Sequence, residues 1–165
     1  MENYLTFTVD NHLYAINVKS VLEVLNLSVP TAVPCALPYI EGLIYSRGQG
    51  ITVVNLRRRF SLPDQVADKR TKIIVVEMRI KADNSGNETV ILYGLVADSV
   101  QDVIQTYEEE KIEDAECSIP KEFIAYAFRW NENPLFILDF NKLFEEHAKL
   151  NLLQTVSSSE TQNLT

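Results

Sequence analysis

Few side chains in this sequence could carry covalent or metal chemistry, and none are spaced to act together. The histidines are His12, inside an alternating apolar run, and His147, in a C-terminal helical pattern. Neither has a second histidine or a cysteine at metal-ligand spacing, so no metal is expected. Cys35 and Cys117 could form one bridge, but without an export signal free thiols are the expectation. No serine lies in a G-x-S-x-G turn, and Cys35 has no evident histidine partner. Gly48-Gln49-Gly50 lies between two strands, whereas a phosphate loop needs a strand-to-helix turn, so it reads as a plain turn. Glu108-Glu109-Glu110 lacks the glycine and alternating oxygen ligands of a calcium loop and reads as a solvated face. Arg57-Arg58-Arg59 reads as local charge balance or, alternatively, as a contact for an acidic partner. With no catalytic constellation and no cofactor expected, the chemistry that remains is binding.

Composition narrows the partner. The chain has 165 residues, 46% of them hydrophobic, enough for one packed domain or two small subdomains sharing a core. A net charge of −8 argues against nucleic acid, because phosphates attract Lys/Arg surfaces. The opening MENYLTFTVD shows no basic region before an apolar core. No apolar run approaches the roughly 20 residues that span a bilayer. The cytoplasm is therefore the expected compartment, without direct membrane insertion.

The chain repeats itself. LYAINVKSVLEVL (13–25) matches LYGLVADSVQDVI (92–104) at Leu13/Leu92, Tyr14/Tyr93, Ser20/Ser99, Val21/Val100 and Val24/Val103, with Glu23/Asp102 and Ala15/Gly94 conservative. VVNLRRRF (53–60) echoes ILDFNKLF (137–144), with Asn55/Asp139 and Phe60/Phe144 in register. Two copies of one β-rich unit suggest two small barrels with a shared core and a groove between similar halves. The repeated valines fit barrel core, or a groove that takes the apolar face of a partner helix. Arg47, between a strand and a glycine, fits an exposed turn or a groove rim that pairs with a carboxylate.

The elements follow from local pattern. Residues 4–9 alternate, with Leu5, Phe7 and Val9 on one face and Tyr4, Thr6 and Thr8 on the other, which predicts a half-buried strand. Asp10-Asn11 tolerates positive φ and turns the chain into a second strand at 12–18. Further strands are expected at 23–27, 40–47, 51–56, 72–80, 88–97, 100–107, 123–130 and 135–138. Pro30, Pro34 and Pro38 forbid a long helix in their stretch. A short helical turn is expected at 56–62, and 65–70 is the expected seam between the halves. Residues 81–87 and 108–116 are expected loops. Asp139 is the expected N-cap of a helix running to about Leu153.

These residues also carry a family resemblance. Tyr4 to Val9, Tyr14-Ala15-Ile16 and Val21-Leu22-Glu23-Val24 resemble the opening of CheW, the chemotaxis coupling protein. The resemblance continues through Val33-Pro34, Pro38 to Ile44, Arg47-Gly48 and Val53 to Phe60. It resumes at Tyr93 to Val103 and closes with Pro134 to Phe144, covering about Asn3 to Glu146. It implies a mainly β fold of two small five-stranded SH3-like barrels related by a pseudo-two-fold, with short helices and a C-terminal helix. The domain would span 1–153, with the first barrel mainly 13–67 and the second mainly 3–12 and 71–146, before a disordered tail at 154–165.

The implied function is a non-catalytic adaptor that couples the cytoplasmic tips of methyl-accepting chemoreceptors to the regulatory domain of the histidine kinase CheA in receptor arrays. Carried over by position, the receptor-binding residues are Val21, Glu23, Gly42, Arg47, Gly94, Val100 and Val103, with no kinase-binding residues assigned. The chain departs from the family pattern at Tyr45-Ser46, Gly50, Thr52 and Asn55. Two alternatives stay open: a module of a specialised chemosensory system that binds another partner, and a small-ligand binder using the inter-barrel cleft.

Overall fold

The computed structural model describes residues 1–34, 36–81, 87–113 and 115–163, with side chains described through Asn151. Cys35 and most of the loop expected at 81–87 lie outside the described residues. In chain order the elements are β1 (Glu2–Val9), β2 (His12–Asn17), β3 (Val21–Asn26), β4 (Ile40–Ser46), β5 (Gln49–Asn55) and α1 (Leu56–Arg59). Then follow β6 (Lys72–Lys81), β7 (Glu88–Ala97), β8 (Ser99–Thr106), β9 (Lys111–Ile112), β10 (Ile124–Trp130), β11 (Asn133–Leu138) and α2 (Phe140–Asn163).

Three hairpins close on two-residue turns with positive φ at both positions: Asp10-Asn11 (53°, 64°), Arg47-Gly48 (53°, 77°) and Asn131-Glu132 (47°, 67°). This is the backbone whose twist matches the flanking strands. The second turn sits one residue earlier than the glycine pair suggests, and Gln49 and Gly50 belong to β5. Both helices begin as the repeat requires. Asn55 Oδ1 accepts from the Arg58 N–H at 3.1 Å, and Asp139 Oδ1 accepts from the Lys142 N–H at 3.3 Å. α2 reaches Asn163 rather than ending near Leu153, and no glycine or proline stands in that stretch to stop it.

The strands form two sheets, each with a half-barrel curl, ordered β8-β1-β2-β11-β10-β9 and β3-β6-β7-β5-β4. The two orders superimpose strand for strand, apart from the extra β9, which the sequence did not signal. The repeat is visible in the pairing: Val53 faces Gly94 in the parallel pair β5/β7, and Ile137 faces Ala15 in the parallel pair β11/β2.

The division into barrels differs from the expected 13–67 against 3–12 plus 71–146. β2 lies in the first sheet with β1, while β6 and β7 lie in the second sheet with β3, β4 and β5. The chain changes sheets after β2, through the 3-10 turn Val18–Ser20, and after β7, at Asp98. The Asp98 N–H donates to the Thr8 carbonyl at 2.9 Å, so β1 captures the chain as it leaves β7. Each half therefore lends a hairpin to the other half's sheet.

Apolar burial follows this exchange. A central core between the sheets holds Phe7, Tyr14, Leu56, Phe60, Ile74, Tyr93, Leu95 and Phe144. Each sheet also encloses a small core of its own. Tyr4, Ala15, Ile104, Phe128, Leu135 and Ile137 fill one, and Ile44, Ile51, Val53, Ile73 and Val75 fill the other. β1 is consequently buried on both faces, not one. Tyr4 points into the curl and its hydroxyl meets that of Tyr126 at 2.6 Å, while Thr6 Oγ1 bonds the backbone of Asp102. Burial pushes the Tyr14 phenol up to about 12.

α2 is pinned on the second sheet by Tyr93, which stacks on Phe144 at 4.1 Å and hydrogen-bonds His147 Nδ1 at 2.8 Å. Burial raises the Tyr93 pKa and lowers that of His147, so the two meet as a neutral phenol and a neutral imidazole. The unfolded chain then binds a proton at His147 more readily than the folded one. Stability from this group is complete above the unfolded value of about 6.5 and is lost as pH falls through the lower folded value. The urea midpoint should drop between pH 7.5 and 5.5, and His147→Gln should flatten that drop; an identical pH dependence in the variant would refute the assignment.

Candidate protein-interaction site

β3 and β8 are repeat partners and form corresponding edges of the two sheets. Val21 pairs with Val76 and Val24 with Ile74, and both partners belong to the central core. On the other sheet Val100 pairs with Phe7 and Val103 with Leu5, again core residues. Directly opposed residues share a face, so all four valines lie on the inter-sheet side of their strands. Val21 and Val100 pack against the central core, whereas Val24 and Val103 are 43% and 60% exposed. The repeat thus gives each edge one anchored and one open valine.

Glu23 and Arg47 come together at the seam where one sheet's two edges approach. Ser46 Oγ on β4 donates to Glu23 Oε1 on β3 at 2.8 Å, and an Arg47 Nη lies 3.8 Å from Oε2. Arg47 sits at a positive-φ turn position with its side chain 85% exposed. A pair this open contributes about 0–1 kcal/mol, so Arg47 is held loosely.

Gly42 and Gly94 are both buried, and each sits tightly against its neighbours. Gly42 has φ 141°, and a Cβ there would lie 2.2 Å from the Thr31 carbonyl oxygen. That approach allows Thr31 and Leu43 to exchange two backbone hydrogen bonds of 2.8 Å. A Cβ on Gly94 would lie 2.7 Å from Ile73 Cγ2 and 3.1 Å from Ile51 Cγ2. Each glycine therefore allows close packing of its neighbours that a side chain would prevent.

The arginines of the triplet are each engaged within the chain, and Arg58 is the exposed one. Arg57 is 8% exposed and every guanidinium N–H has an acceptor. Nε and one Nη grip Asp98 at 3.2 and 2.6 Å, and the rest reach Asp10, the Pro63 carbonyl and Gln65. The Asp98 carboxylate raises the Arg57 pKa further. Arg58 forks onto Asp64 at 3.1 Å through both contacts. Arg59 donates to the carbonyls of Leu143 and Lys142 at 2.8 and 3.2 Å and lies over the rings of Tyr39 and Phe123. One sequence signal marks the Arg57 cluster: the repeat aligns Asp98 with Lys19, a reversal of charge.

Other features bear on the alternatives. The polar cleft beside Arg57 is lined by Glu41, Arg58, Asp64 and Arg70, whose charges are paired among themselves or with Asp68. Among the described residues no three His, Cys, Asp or Glu side chains come together to hold a metal ion. Among them too, no helix is long and apolar enough to cross a membrane.

The model of the CheW-like domain family matches residues 3–148. The chain belongs to the CheW-like family. It is 31% identical over 150 residues to the chemotaxis protein CheW of Bacillus subtilis (strain 168), covering 89% of each chain. It is 26% identical over 141 residues to CheW of Treponema pallidum (strain Nichols), covering 84% of this chain and 79% of that one. Among solved structures, it resembles the crystal structure of the scaffolding protein TtCheW from Thermoanaerobacter tengcongensis. That match has a TM-score of 0.73 and 26% identity over 87% of each chain. This CheW-family chain is a chemotaxis scaffold and coupling protein, in a family of non-catalytic scaffolds.

If Gly94 serves packing, Gly94→Ala should lower unfolding stability by about 1–3 kcal/mol, as overpacking of a filled core does. Gly50→Ala, whose Cβ would meet Tyr45 at an ordinary 3.6 Å, should change it by less than about 0.5 kcal/mol. Urea unfolding of both variants checks this, and equal effects would refute the packing role.

Proposed function

We propose that this CheW-family chain couples the cytoplasmic tips of methyl-accepting chemoreceptors to the regulatory domain of the histidine kinase CheA. It binds both and catalyses nothing, and it works in the cytoplasm on membrane-bound receptor arrays. The observation that carries the receptor side is the pair of repeat-related edge strands. Val21 and Val100 are anchored in one core, Val103 is open beside them, and Glu23 with Arg47 marks a charged rim. An amphipathic helix would lay its apolar face on such valines and meet the rim with a carboxylate. Gly42 and Gly94 support this surface from below by letting β4 and β7 pack closely.

A specialised partner is the second reading, and Tyr45 favours it. It stands where the family pattern usually has asparagine and is 72% exposed on β4, two residues from Arg47.

Titration of the purified protein against the kinase regulatory domain and a receptor-tip fragment from the same genome tests the reading, with saturable binding to both expected. Arg47→Glu places like charges at the Glu23 seam and should weaken receptor binding about tenfold, roughly 1.4 kcal/mol, with an unchanged melting curve. Undiminished receptor affinity in a folded variant would remove Arg47 from the surface.

A further inference from the structure

The two crossovers between sheets are equivalent by repeat but not by chemistry. At the first, Lys19 is 79% exposed and its ammonium lies 3.9 Å from Glu2. At the second, the aligned residue Asp98 accepts from Arg57 Nε and Nη2 and from the Asp10 N–H at 2.8 Å. Arg57 follows β5 of one sheet, and Asp10 turns β1 into β2 of the other. One guanidinium, fully satisfied and nearly buried, therefore ties a helix of one sheet to a turn of the other. The same helix sends Arg59 to the Leu143 and Lys142 carbonyls of α2, which follows β11 of the other sheet. The charged ties described between the two sheets fan out from α1.

We propose that Arg57 is a positioning residue: its cluster is the fixed pivot that sets the angle between the two sheets, and the Val18–Ser20 crossover is the compliant side. A forked, charge-assisted contact to a carboxylate fixes orientation as well as distance, whereas an exposed lysine pair fixes neither. Relative motion of two packed bodies concentrates where the chain is least constrained. The edge strands β3 and β8 belong to different sheets, so a pivot that sets the angle between the sheets also sets how the two edges stand to one another. Its consequence for coupling rests on the receptor surface proposed above; the pivot itself does not.

Spin labels at exposed Arg129 on β10 and exposed Val90 on β7, after replacement of Cys35 and Cys117, report the inter-sheet distance by pulsed dipolar spectroscopy. Arg57→Met should broaden the distribution and add a longer-distance population while circular dichroism still shows intact sheets. Lys19→Ala should leave the distribution unchanged. Arg57→Lys, which keeps the charge and loses the fork, should fall between Arg57→Met and the parent. Should Arg57→Met fail to fold, Asp98→Asn takes its place with the same expected broadening. An unaltered distribution in the folded Arg57 or Asp98 variants, or equal broadening in Lys19→Ala, would overturn the proposal. No partner enters the measurement, so its outcome is separate from that of the receptor reading.

Discussion

Neither half of this chain can complete a sheet alone. One sheet joins a hairpin from the first half to four strands of the second, and the other joins a hairpin from the second half to three strands of the first, so the central core is buried only when both halves are present. The central core shows the dependence residue by residue. Tyr14 meets Phe60 at 5.4 Å, and its repeat partner Tyr93 meets Phe144 at 4.1 Å. In the first pair the tyrosine comes from one sheet and the phenylalanine caps the helix after a strand of the other; in the second the phenylalanine lies within such a helix, with the sheets exchanged. Aromatic pairs of this kind add about 0.5–1.5 kcal/mol each beyond the area they bury. The stretch 65–70, a seam in the sequence, is not a seam in space.

Local features of this fold were legible in the sequence because local chemistry decides them. Alternation marks the strands, and Asp10-Asn11 turns where two consecutive positive-φ residues are needed. Asn55 and Asp139 cap helices because a short acceptor side chain reaches the amides ahead of it. The partition of strands between sheets was not legible, because a strand's partner is a long-range property. Sequential strands usually neighbour one another, and here two short crossovers break that habit. β1 reads as half-buried because alternation cannot show that a curled sheet has an interior for Tyr4 to fill.

The arginines show the same limit at the level of the site. Arg57 and Arg47 are ten positions apart and have opposite fates. Arg57 finds its carboxylates 41 and 47 residues away, and with every N–H paired it tolerates burial. Arg47 is placed on a positive-φ turn, has one long contact, and leaves its guanidinium in solvent. Nothing in the triplet itself separates the interior arginine from its neighbours. The glycines show it too: resemblance puts Gly42 and Gly94 among the receptor-binding residues, and the packing that each makes possible is visible only in the fold.

Duplication shapes the surface that this small β coupling protein offers. It yields two edge strands of the same register, each presenting an anchored valine and an open one. Two identical edges would give a partner laid on them no preferred direction, and these have diverged in charge. On β3, Glu23 turns to its own sheet and is met by Ser46 and Arg47. On β8, the aligned Asp102 bonds Thr6 through its backbone, and the strand runs on into the acidic turn Glu108–Glu110. On the receptor surface proposed above, apolar contact supplies adhesion, and the unlike charges of the two edges set the direction in which a partner lies. In this molecule the shared core makes the edges alike, and the residues around it make them different.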